Sequence, residues 1–222
     1  MVSVNPCYIT PDNVEQKTDE WLKKIYSLVW SREHLKIIPE KCVLLVIDML
    51  NYFARPDGRA YLPTTRTIIP QISRLLKAWQ KISAPVVFTR HCHQGEHDLG
   101  MLGQFWTDYI RCQEDQSEII EEFQLEKAKI IRKTTYDAFY NTELQNYLHS
   151  KNVQQVLITG VLTQMCCETT ARSAFVRGFE VYFAADATAT SAELFHINSL
   201  LSLASSVAVV KKTDHFMNAL EL

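Results

Sequence analysis

Apolar residues along this chain come in short continuous blocks rather than in alternation with polar ones. Cys42-Val43-Leu44-Leu45-Val46-Ile47 runs uninterrupted, as do Pro85-Val86-Val87-Phe88 and Val156-Leu157-Ile158. Continuous blocks of this length suit strands covered on both faces, as in a parallel sheet. The same reading predicts strands at 129–133, 180–186 and 207–210. Between them the apolar positions change to helical spacing. One helix starts near Thr67 and carries Ile72, Leu75, Leu76 and Trp79. Others are predicted from about Asn141 to His149, from Cys166 to Arg177 with Gly178 closing it, and over 192–204. Strands and helices that alternate in this way predict an α/β protein with a parallel sheet and right-handed crossovers.

Residues 1–40 stand apart from this alternation. Pro11-Asp12-Asn13 opens a predicted helix with Trp21, Leu22, Ile25, Tyr26, Leu28 and Val29 on one apolar face. We read 1–40 as an N-terminal arm that covers the domain or a neighbouring subunit, and 41–222 as the main domain.

Composition narrows the classes of function. The 222 residues are 47% hydrophobic, enough for one full core. Lys and Arg number 23 against 25 Asp and Glu, with no long run of one sign, so neither nucleic acid nor a membrane surface is expected as a partner. No apolar stretch is long enough to span a bilayer and no secretory signal is recognisable. The six cysteines have no regular spacing, and are expected as free thiols in a reducing compartment, hence a cytoplasmic protein.

The chemistry gathers at strand ends. Asp48 follows the first strand, Lys133 ends the third, and Cys166 falls just after the fourth, in the first helical turn with Thr163 as the expected cap. A parallel sheet brings these ends to one edge, where open α/β sheets bind ligands. A helix N-terminus favours a thiolate, so the Cys166 pKa is expected to fall. In this arrangement Cys166 attacks a carbonyl, Asp48 moves the proton, and Lys133 supplies positive charge. Backbone N–H groups of the Gly160-to-Cys166 turn would bind the oxyanion.

The motifs around these residues are specific. Val46-Ile47-Asp48-Met49-Leu50-Asn51-Tyr52-Phe53, Lys133-Thr134-Thr135-Tyr136-Asp137-Ala138-Phe139 and Gly160-Val161-Leu162-Thr163-Gln164-Met165-Cys166-Cys167-Glu168 resemble, in order, the signature blocks of the isochorismatase-like cysteine hydrolases. The resemblance covers roughly residues 40–212. It implies a Rossmann-like three-layer α/β/α domain with a six-stranded parallel sheet and a catalytic triad of Asp48, Lys133 and Cys166. It also implies a cis peptide between Val161 and Leu162, and an oxyanion hole formed by the N–H groups of Leu162 and Cys166. The expected reaction is hydrolysis of a small linear amide, carbamoyl or ureido C–N bond through a thioester, by a homo-oligomer (dimer or tetramer). Cys167, about 100° further round the helix, is expected to pack elsewhere, and Asp186 to cap its strand end.

Phe53, Tyr136, Phe139, His93 and Trp106 are the candidate pocket residues, and the segment 100–110 reads as a binding loop. Two features depart from the family pattern. Leu50 stands where many relatives carry Gln. Nicotinamidase-like members hold a metal through Asp-x-His at the end of the second strand, where this chain has His91-Cys92-His93, with His97 following. Imidazoles and a thiol can bind zinc, but the Asp is missing, and neither metal nor cofactor is assigned. Two alternatives stay open at this level: vinyl ether hydrolysis of the isochorismatase kind, which needs no cysteine nucleophile, and a catalytically inactive interaction module.

Overall fold

The computed structural model describes residues 7–220; the first six residues of the expected arm lie outside the described residues. Six strands form one all-parallel sheet: β1 (Cys42–Ile47), β2 (Val86–His91), β3 (Lys129–Lys133), β4 (Gln155–Val161), β5 (Glu180–Ala189) and β6 (Ala208–Lys211). Their order is β3-β2-β1-β4-β5-β6. The helices are α1 (Val14–Tyr26), α2 (Asn51–Ala54), α3 (Thr65–Lys81), α4 (Leu102–Phe105), α5 (Leu144–Ser150), α6 (Glu168–Val176), α7 (Glu193–Ser206) and α8 (Thr213–Asn218). They flank the sheet to give three layers.

The strand order reverses between β1 and β4, the point at which open α/β sheets carry their ligand crevice. All six residues of β1 are buried, as the unbroken apolar run requires. β4 packs against it so closely that a Cβ on Gly160 would stand 2.0 Å from the Ile47 carbonyl oxygen; Gly160 also has φ +102°, so only glycine fits. On α3, Ile68, Ile72, Leu75 and Trp79 form the buried face. The single polar atom of the Trp79 indole donates to the Cys42 carbonyl at 2.9 Å.

Several boundaries differ from the sequence expectation. The predicted N-terminal helix stops at Tyr26, where the Ser27 N–H bonds back to the Lys23 carbonyl, so Leu28 and Val29 lie beyond its end. α5 begins at Leu144, because Asp137 and Thr142 hold the preceding residues in turns through the Phe139 and Leu144 amides. β5 runs on past Asp186 to Ala189. Asp186 accepts from the Thr213 N–H and hydroxyl, both at 2.8 Å, and so holds the start of α8.

Helix α1 packs against α7 and β5. Trp21 Nε1 donates to Glu193 Oε1 at 2.9 Å, and Lys17 pairs with the same oxygen at 3.0 Å. The Trp21 ring meets the His196 ring edge-on at 4.9 Å between centroids, and Tyr8 completes a three-ring cluster, 5.8 Å from His196 and 6.0 Å from Trp21.

The cysteines correct one expectation. Cys92 and Cys112 form a disulfide across 20 residues, while Cys42, Cys166 and Cys167 are buried thiols and Cys7 is exposed. Spacing alone does not reveal this pair, because the loop after β2 brings the two together only in the folded chain. No helix among the described residues is long and apolar enough to cross a membrane.

Candidate active site

Asp48 sits one residue past β1 in the left-handed backbone region, with φ 47°. Aspartate tolerates that region better than most residues, and such outliers cluster at functional sites. Thr89 on β2 braces it at both ends: the Asp48 N–H donates to Thr89 Oγ1 at 3.0 Å, and that hydroxyl donates to Asp48 Oδ1 at 2.6 Å. Lys133 closes β3, and its Nζ lies 2.7 Å from Asp48 Oδ2, both side chains being inaccessible to solvent. Cys166 belongs to a π-helical turn, Thr163–Cys167, that precedes α6. Its Sγ lies 3.2 Å from Lys133 Nζ. The three residues that the sequence places at separate strand ends thus meet at one point.

Each charge state follows from its neighbours. Burial alone would raise the Asp48 carboxyl, but the Lys133 ammonium and the hydrogen bonds from Lys133 and Thr89 hold it below the ordinary carboxylate range. Burial opposes charge on Lys133, yet Asp48 and Cys166 keep it above the usual lysine value. Burial pushes the Cys166 thiol up to about 12, with Asp48 adding to the effect and Lys133 opposing it. This reverses the expected fall: the advantage of a helix start is outweighed by desolvation and by the neighbouring carboxylate. The resting site therefore reads Asp⁻, Lys⁺ and thiol. Moving one proton from sulfur to Asp48 leaves the net charge unchanged, so the pair is best treated as one coupled unit.

Thr163 does not cap a helix. Its hydroxyl and His196 Nδ1 lie 2.9 Å apart, while His196 Nε2 lies 3.1 Å from the Ala185 carbonyl. The turn is thereby tied to α7 and, through the Trp21 ring on His196, to α1. The Val161–Leu162 peptide is cis. Cys167 points away from the triad into the core, its Sγ 3.9 Å from the Thr159 carbonyl.

A cavity of about 340 Å³ opens over this cluster, with Asp48, His91, Leu162 and Cys166 at its inner end. Tyr52, Phe53, Trp106, Tyr109 and Tyr136 form its aromatic walls. Trp106 Nε1 donates to the Tyr136 hydroxyl at 2.7 Å across the mouth. Two expected pocket residues lie elsewhere. Phe139 is buried against Phe179, with ring centroids 5.9 Å apart, and does not line the cavity. His93 is buried behind His91, their Nε2 atoms 3.2 Å apart, and it is His91 that faces the cavity. Sequence reasoning missed Thr89, Tyr52 and Tyr109. The aromatic spacing of Tyr52-Phe53 next to Asp48 is the one signal that marks Tyr52; nothing local marks Thr89.

The residues present do not fit a metal. In the His91-Cys92-His93 run, Cys92 is committed to a disulfide, and His93 spends Nδ1 on the Asp98 carbonyl at 3.1 Å and Nε2 on His91. His97 is exposed on the next turn. Donor atoms of Asp48, His91 and Cys166 lie within 4.8 Å of one another, but the Lys133 ammonium stands among them, 3.2 Å from His91 Nδ1 as well. The cation of this site is the lysine.

Comparison with known proteins agrees with this geometry. A family model described as the isochorismatase domain matches residues 42–215. Nicotinamidase 3 of Arabidopsis thaliana is 39% identical over 181 residues, which is 80% of this chain and 87% of that protein. The isochorismatase of Bacillus subtilis (strain 168) is 28% identical over 82% of this chain and 59% of its own length. A cysteine hydrolase from Pseudomonas syringae pv. phaseolicola 1448A superposes with a TM-score of 0.81 at 27% identity, covering 84% of this chain and 95% of that one. With the fold, the strand-end cluster and the matched domain in agreement, this chain belongs to the isochorismatase family and is an isochorismatase-like hydrolase.

Proposed function

We propose that this enzyme hydrolyses the C–N bond of a small, uncharged carboxamide with a flat or apolar acyl group, through a thioester on Cys166. The observation that carries the reading is the meeting of Asp48, Lys133 and Cys166 at the closed end of an aromatic cavity. The Cys166 thiol gives its proton to Asp48, and the thiolate, paired with Lys133, attacks the carbonyl carbon. The N–H groups of Leu162 and Cys166 bind the oxyanion. Asp48 returns the proton to the leaving amine as the C–N bond breaks, leaving the thioester. Asp48, again ionised, then takes a proton from water as the water oxygen attacks the thioester. Collapse releases the carboxylic acid and restores the thiol.

The cavity wall narrows the substrate. Among the described residues no Arg or Lys side chain lines it, and besides Asp48 its one acid, Asp108, is already paired with Arg59 at 2.9 Å. A carboxylate on the substrate would lose its hydration without gaining a counter-ion. Carbamoyl amino acids and ureido acids are therefore disfavoured relative to simple carboxamides. The same argument disfavours vinyl ether hydrolysis of isochorismate, a dicarboxylate.

The test is ammonia release from nicotinamide, its carbocyclic analogue benzamide, and N-carbamoylglycine, with the native enzyme and Cys166→Ser. Turnover of the two arenecarboxamides within about tenfold of each other, none in Cys166→Ser, and no loss on adding a chelator is the expected result. Preference for the carboxylated substrate, or full activity in Cys166→Ser, overturns the proposal.

A further inference from the structure

A charged lysine carries three protons, yet four acceptors surround Lys133 Nζ. Asp48 Oδ2 lies at 2.7 Å, the Thr135 carbonyl at 2.9 Å, His91 Nδ1 at 3.2 Å and Cys166 Sγ at 3.2 Å. One acceptor must go without. Of the four, the sulfur changes most in the reaction: a thiol accepts weakly, whereas a thiolate accepts a charge-assisted hydrogen bond. We propose that His91 is a positioning residue that holds the third Lys133 proton while Cys166 is a thiol and yields it to Sγ when the thiolate forms. The proposal rests on the triad reading above.

The imidazole is prepared for this role by a row of hydrogen bonds. Nδ1 faces an ammonium, so it presents a lone pair, and the ring proton is on Nε2. That proton points at His93 Nε2, 3.2 Å away. His93 then carries its own proton on Nδ1, which faces the Asp98 carbonyl at 3.1 Å. One tautomer on each ring satisfies the whole row. Burial, reinforced by Lys133, pushes the His91 imidazole down to about 3, so it stays uncharged in neutral solution.

Charged and titratable groups from several elements surround the ring. Asp48 faces it from the end of β1, Lys133 from β3, Cys166 from the π-helical turn and His93 from its own strand end. Behind His93, Asp98 is held by Arg132 at 3.0 Å. Tyr52, Asp108, Tyr109 and Tyr136 line the same cavity.

The step balances without any other reagent. The S–H bond of Cys166 breaks, its electron pair stays on sulfur, and the proton passes to the Asp48 carboxylate. A Lys133 N–H then turns from His91 Nδ1 to Sγ. No proton leaves the imidazole, and nothing is oxidised or reduced.

His91→Leu removes the competing acceptor and strands the third proton unless sulfur is a thiolate. The pH midpoint for alkylation of Cys166 by iodoacetamide, mapped by peptide mass spectrometry apart from Cys7, Cys42 and Cys167, should fall by about one unit. His91→Asn, which keeps an acceptor oxygen, should restore the native midpoint. An unmoved or raised midpoint in His91→Leu, or a shift in His91→Asn equal to it, overturns the proposal. If His91→Leu does not fold, the native protein decides. Ring ¹⁵N shifts should show His91 as the Nε2–H tautomer, uncharged from about pH 7 down to about pH 5. An Nδ1–H tautomer, or titration near pH ~6.5, overturns it. Neither readout uses a substrate, so a failure of the amide-hydrolysis reading is seen separately.

Discussion

Lys133 Nζ and Asp48 Oδ2 stand 2.7 Å apart with both side chains sealed from solvent. Removing one partner leaves the other charge buried and alone. Asp48→Asn should abolish turnover and lower stability by about 3–5 kcal/mol. The double variant Asp48→Asn, Lys133→Met should regain much of that stability and none of the activity. Urea unfolding of the two single variants and the double variant checks this. Equal losses in Asp48→Asn and in the double variant would show that the ion pair is not the cause.

Acid should destabilise the protein well above the carboxylate range. Burial pushes His196 down to about 4 and His91 down to about 3. In the unfolded chain each titrates near pH ~6.5. Below that value the unfolded state binds protons that the folded state refuses, so stability is full above ~6.5 and drains away towards the folded pKa values. Each histidine contributes a slope of about 1.4 kcal/mol per pH unit. His196→Gln should remove close to one proton from the stability slope between about pH 6 and about pH 5. Asp48, whose carboxyl lies below the ordinary range when folded, adds a further loss only as pH drops below the unfolded value near ~3.9.

Cys112→Ser opens the 20-residue loop closed by the disulfide. The expected loss is about 3 kcal/mol of stability. The fold should survive, because the His93 amide still donates to the Ile110 carbonyl at 2.8 Å and the Cys112 amide to the His93 carbonyl at 2.9 Å. Since Asp108, Tyr109 and Ile110 line the cavity, KM should rise more than kcat falls. Steady-state kinetics on the best amide, with and without a dithiol reductant on the native enzyme, would show it.

Trp21→Ala should cost about 3 kcal/mol, since the ring is buried. Its loss also frees one face of His196, which bonds Thr163 in the π-helical turn. Hydrogen exchange at residues 163–167 should therefore speed up, whereas Trp21→Phe should leave most of that protection in place. Unchanged exchange in Trp21→Ala would confine α1 to a covering role.

Much of this was legible in the chain because a parallel strand buried on both faces is mostly apolar. The run Cys42–Ile47 marks the central strand, and a polar residue at its end stands out against it. Lys133 is legible from its place at the end of a short mixed stretch, Lys129-Ile130-Ile131-Arg132, and Cys166 from the apolar strand and glycine that precede it. What escaped depends on contacts between distant segments. Thr89 looks like any strand residue until the left-handed turn at Asp48 brings a backbone amide and a carboxylate to its hydroxyl. His91 and His93 have the same alternation parity, so only the packing of the following loop decides which one faces the cavity. Phe139 follows the lysine motif but turns into the core beside Phe179. The Cys166 thiol was misjudged because a local argument about helix ends carries no information about burial.

His91 and Lys133 are register partners in the β2–β3 pairing, and Arg90 faces Arg132 one step earlier. Side chains alternate between sheet faces, so a slip of one residue would exchange them. Arg132 would then swing from its contact with Asp98 into the slot beside the sulfur, substituting a wide planar cation for a compact one. The alignment of an edge strand, set by a ladder of backbone bonds, thus selects which positive charge the nucleophile meets.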